Sequence, residues 1–299
     1  MAQSATGWGA GVDRIAAGGL AASTEARLDE LRKWKGFTSF LSPSALAVGR
    51  DMDVVPIGQV VGFSAGHLLE GTLRTTEPGQ GRARVGQPRW RERTGPIRSW
   101  DTVRRRALAR LREQAGLLDA NAVVGIKARR WVGGGPSDVL AVEQSFDGTA
   151  VRVEGWRRPR DAPPVLTLAS AEELWLLLRA GIEPAGIAGS FASVHTTVSA
   201  SSLRLGRGTG RWAPSAELPD LTRSAYEARR LALERLRADA GGLDAHGLIG
   251  IDVEHQQRSG GRLPGVEIIV HLLATAVRRR GTSDLEAKPV VRLRKEARG

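Results

Sequence analysis

The chain has no cysteine. Disulfides, thiolate metal sites and cysteine nucleophiles are excluded at once, and a reducing compartment suits such a sequence. Histidine is scarce as well, five in 299 residues, and the five are too dispersed to form a ligand set at metal-binding spacing. No apolar run approaches the roughly eighteen residues of a membrane-spanning helix, so no membrane partner is expected. Near the N-terminus, Asp13 and Arg14 interrupt what would be the apolar core of a signal peptide, which leaves the cytoplasm as the expected location. The G-x-S-x-G, G-x-x-x-x-G-K-[ST] and H-E-x-x-H patterns are also missing. Neither an enzyme nor a cofactor is expected.

Lysine is nearly missing too: only five of the 44 basic residues are lysine, so a formal net charge of +12 rests on arginine. From Arg82 to Arg112 there are eleven arginines against two acids, with Trp90 and Trp100 interleaved. Arginine binds phosphate bidentately and aromatic rings stack on bases, so Arg82, Arg84, Arg89, Trp90, Arg91 and Arg93 are the candidates for contact with nucleic acid or another polyanion. The plainer alternative is an arginine-biased composition spread over solvated faces. Net charge alone does not decide between them.

What the chain does have is a copy of itself. RRALARLREQAGLLDANAVVGI at 105–126 returns as RLALERLRADAGGLDAHGLIGI at 230–251, a spacing of 125. Upstream, 37–67 returns at 165–195 at a spacing of 128, pairing Pro56 with Pro184, Phe63 with Phe191 and His67 with His195. Downstream, Thr149-Ala150-Val151 returns as Thr275-Ala276-Val277 at a spacing of 126. A period of this length is that of a small domain, and predicts two copies of one fold.

Within each copy the pattern is readable. Ala107, Leu108, Leu111, Ala115 and Leu118 fall at i, i+1, i+4, i+8 and i+11, the apolar stripe of an amphipathic helix lying on a flat surface. Ser99 and Ser224 are its expected N-caps, giving about twenty helical residues and about 30 Å. Short apolar runs follow at 122–126 and 247–251, read as strands, after turns formed at Asp119 and Asp244. Ser170 with Glu173 is a capping box opening a short helix that ends before Gly181, and Pro43 starts the equivalent helix in the first copy. The expected order is short helix, strand, long helix, strand, with one more extended run closing each copy.

These residues resemble a known family. LDANAVVGI at 118–126, the strand ending DGTAV at 147–151 and the upstream block at 42–67 look like the YbjQ-like family, also called the heavy-metal-binding domain family. The resemblance implies an α+β fold of two tandem dodecin-like β-α-β-β two-layer domains, each preceded by a short helix. It divides the chain into an N-terminal arm with a short helix (1–36), domain 1 (37–157), a three-proline spacer (158–164 with its flanks), domain 2 (165–282) and a C-terminal tail (283–299). Members assemble as pentameric rings, and a small unit with open sheet edges gains from such pairing. The expected function is therefore non-enzymatic self-assembly into a ring or shell, with the chain itself as partner in fives or multiples of five. The metal-binding role implied by the family name has only His67 and His195 as repeat-equivalent candidates. Each would supply one ligand per domain, and a histidine at a strand end has a plainer structural use.

Overall fold

The apolar stripe of the first long helix is buried along its whole length, with Ala107, Leu111 and Ala115 fully covered. The structure is a computed structural model and describes residues 11–34, 36–51, 53–68, 73–74, 89–134, 140–156, 158–159, 161–197, 217–259 and 265–279. Its elements run α1 (Ala22–Lys33), α2 (Pro43–Asp51), β1 (Val54–His67), β2 (Leu73–Arg74), β3 (Arg89–Arg93), α3 (Thr94–Leu117), β4 (Ala122–Gly134) and β5 (Leu140–Val153). The second half follows with β6 (Val165–Leu166), α4 (Ala171–Arg179), β7 (Ile182–Thr197), α5 (Pro219–Gly241), β8 (Gly247–Ser259) and β9 (Val266–Arg279).

The strands form two sheets in a mixed α+β fold, ordered β1-β5-β4-β6 and β2-β3-β7-β9-β8. Register irregularities fall at equivalent places, Pro56/Gly58 with Pro184/Gly186 and Val124/Lys127 with Ile249/Asp252. The long helices end alike. Asp119 and Asp244 sit at φ 55° and 53°, and the next amide in each case reaches back to the helix, Ala120 N to Ala115 O and Ala245 N to Ala240 O. These are Schellman closures, with aspartate in the left-handed position usually held by glycine.

Each long helix crosses its sheet above the first long strand of its half and takes up backbone groups of that strand. The Gln114 carboxamide bonds both the N–H and the carbonyl of Val61, at 3.2 and 2.6 Å. Arg110 donates to Phe63 O. In the second half Asp239 accepts from Gly189 N, and Arg235 donates to Phe191 O. Gly62 lets α3 approach, since a Cβ there would stand 2.0 Å from Ala107 O.

Several expectations are corrected. The long helices start at Thr94 and Pro219, upstream of the serines read as caps. Ser99 and Ser224 are buried inside them and donate back to Gly95 O and Asp220 O, the i−4 carbonyls. The segment between β1 and α3 carries strand β3, which joins the sheet of the second half rather than the first. The proline stretch is not a spacer: Arg158 donates to Asn121 O, Trp156 is buried with its indole N–H on Glu183, and β6 pairs in parallel with Ala122–Val123. The N-terminal arm lies on its own chain, with Leu20 and Leu28 in the core of the first half. The α1 helix begins at Ala22 without a side-chain cap. The C-terminal tail (283–299) falls outside the described residues.

The two sheets share a core. On β9, Ile268, Val270 and Leu272 point to α5. Ile269 packs with Trp100, Val103 and Val142 of the first half, and Leu273 joins Leu111 and Phe146. β9 is thus buried on both faces, which explains its nearly unbroken apolar sequence.

Candidate functional site

The joint between the halves is the most elaborate polar and aromatic region described. It uses the helix-bearing face of the first sheet and the opposite face of the second. Trp100 of α3 stacks on Phe191 of β7 with ring centroids 5.8 Å apart, and both rings meet His271 of β9 edge-on at 4.7 and 4.6 Å. Beside them lies a cavity of about 440 Å³, lined by Ile97, Arg104, Arg130, Gln144, Gly189 and Asp239 among others.

Carboxylates hold the cations of this joint. Arg104, 8% exposed, donates to Asp101 at 2.8 Å and to Asp239 of α5 at 3.0 Å. Arg105 pairs with Asp101, Arg130 of β4 bonds Glu254 of β8, and Arg235 bonds Glu92. Burial, reinforced by Arg130 and Arg258, holds His271 well below the usual histidine range, so it is neutral near pH 7. A neutral imidazole wedged between two aromatic rings, beside Arg104 and Arg130 that are held by carboxylates, suits a structural joint and not acid–base chemistry.

The residues singled out in the sequence are placed as follows. His67 is exposed at the end of β1, opposite Ala141. His195 lies on the other sheet, opposite Arg91 and Glu267, so the two are not brought into one ligand set. Among the described residues no group of three or more His, Cys, Asp or Glu could hold a metal. Arg82 and Arg84 lie outside the described residues, and Arg89 is placed by its backbone in β3. Trp90 packs against the core of the second half, Arg91 pairs with His195, and Arg93 bonds Glu267 at 3.0 Å. The described part of the arginine-tryptophan stretch is therefore strand β3, paired between β2 and β7, followed by helix α3.

Elsewhere, large apolar side chains face outward from strands. Val61 and Phe63 of β1 and Trp131 of β4 stand on the face of the first sheet away from α3, at 36, 47 and 48% exposure. Ile251 and Val253 of β8 are 45% exposed, and Tyr226 of α5 is 71% exposed. Strand faces of this kind mark interaction surfaces.

No family model matches the chain. Among curated proteins it is similar to Encapsulin nanocompartment protein Rv1762c of Mycobacterium tuberculosis, 28% identical over 261 residues, which is 84% of this chain and 88% of that one. No solved structure matches.

The likeness to the encapsulin nanocompartment protein is longer than either half, so it runs through both of them and the joint between. No described helix is long and apolar enough to cross a membrane. Sequence reading missed Trp100, Arg104 and His271 as the joint. Their signal, an aromatic and an arginine on one helix meeting a histidine in an apolar strand some 170 positions later, has no local pattern to betray it.

Proposed function

We propose that the chain is a non-enzymatic structural protein that assembles with copies of itself into a closed shell. One observation of the structure carries this reading: apolar side chains stand outward on strand faces of both sheets, where a protein built to stay alone places polar ones. The extended likeness to an encapsulin nanocompartment protein supports it, because that protein's name describes a compartment. The carboxylate-bound arginines and neutral His271 at the joint support a structural role over a catalytic one.

In its finer form, each half is a YbjQ-like, dodecin-type unit. The order β1-α3-β4-β5, with β5 central, and its counterpart β7-α5-β8-β9, with β9 central, support that form. Five chains then make a double ring of ten units, or rings combine into a larger shell. Electron microscopy of the purified protein tests this. Closed particles with five-fold views are expected, and a field of small single molecules would remove the reading. The alternative, a polyanion-binding surface along 82–112, has less support, since Arg93 and Arg104 are engaged within the chain.

A further inference from the structure

Because the halves are related by nearly constant spacings, residues of the joint have counterparts elsewhere in the chain, and several of these are exposed. On the helix-bearing side, Trp100, Arg104 and Arg130 correspond to Ala225, Arg229 and His255. With Tyr226, Val253 and Val270, these three line an open groove of about 320 Å³. Where Trp100 fills the joint in the first half, Ala225 leaves room in the second. On the receiving side, the counterpart of Phe191 is Phe63: the first is 6% exposed, the second 47%.

A third pair of counterparts lies at the sheet edge. In the first half β4 pairs in parallel with Val165–Leu166, and Val124 and Ile126 are buried there at 1 and 5% exposure. In the second half β8 has β9 as its strand partner among the described residues, and Ile251, the counterpart of Ile126, is 45% exposed. The counterpart of Val165–Leu166 is Phe37–Thr38. Its neighbours Ser39 and Phe40 already lie on Thr149 as Thr167 and Leu168 lie on Thr275, and Phe37 is itself 42% exposed.

We propose that the first half of one copy docks on the second half of the next, repeating between molecules the contact that joins the halves within one. The proposal rests on the reading that the chain self-assembles, and adds which surfaces meet. Phe63 seats in the groove beside Ala225, Tyr226 and Val253. The Phe37–Thr38 segment adds in parallel to Gly247–Leu248 of β8. The two surfaces differ, so the contact is heterologous: each copy gives one face and accepts another, and a ring forms when the rotation closes.

The test uses the full chain and two variants, Phe63→Glu and Val253→Glu, each at an exposed position, with folding checked by circular dichroism and thermal unfolding. Wild type is expected to assemble, while each variant alone runs at the 32.0 kDa of one chain. An equimolar mixture gives a heterodimer and stops there, since one variant keeps the groove and the other keeps Phe63. Phe63→Ser and Val253→Ser, which add no charge, weaken assembly in the same direction. If wild type assembles and both glutamate variants assemble equally well, this contact is overturned while self-assembly stands. Folded, monomeric variants that fail to form the heterodimer overturn the head-to-tail arrangement. A monomeric wild type removes both readings.

Discussion

His271 is a titratable group enclosed by aromatic rings, with Arg130 of β4 and Arg258 of β8 nearby and Glu254 opposite it in register. In the unfolded chain its imidazole takes up a proton below about pH 6.5; in the folded chain it resists until well below that. Its contribution to stability is therefore complete above about pH 6.5 and is lost as pH falls below it, by up to about 1.4 kcal/mol per pH unit. Denaturant unfolding between pH 7 and 5 should show wild type losing stability more steeply than His271→Phe, and parallel curves would contradict the assignment. Asp119 offers a second residue-scale check. An alanine in its left-handed conformation costs about 1 kcal/mol, and a glycine costs nothing in strain. Asp119→Ala should lower the unfolding midpoint and Asp119→Gly should not. The turn role of Asp119 and Asp244 was legible because both follow the last apolar position of the stripe; the burial of His271 was not, because the rings and cation around it come from a helix and two strands distant in sequence as well as from the adjacent β8.

Among the elements, the close contact of α3 with β1 depends on Gly62. Any side chain there meets the Ala107 carbonyl and Leu111, backbone and core that cannot both retreat, so Gly62→Ala should cost about 1–3 kcal/mol. Chemical denaturation measures this directly, and an unchanged midpoint would mean that helix and strand are more loosely joined. The long helices, their following strands and the capped helix at Ser170 were readable from periodicity and caps. The helix starts were not. Buried Ser99 and Ser224 look like caps in a sequence, while the informative residue was Pro219 at the first helical position. Strand β3 was unreadable for a different reason: Trp90 pairs with Thr196, and nothing local to an arginine-rich segment announces a partner more than a hundred residues away.

At the scale of the whole molecule, the halves are not beads on a spacer. Leu273 and Ile187 of the second half lie in one core with Leu111 and Phe146 of the first, and Arg104 ties α3 to α5 through Asp239. The self-similarity of the chain was plain in its sequence, but which faces the halves use on each other was not, because Phe63 and Phe191 are the same residue type at the same repeat position with opposite exposures. Self-association of these unspent surfaces is the central claim, and the molar mass of the untagged chain at micromolar concentration, by size-exclusion chromatography with light scattering, tests it most directly. A discrete mass of several chains, in fives if the ring is right, is expected; a single species of 32.0 kDa across the concentration range would contradict it.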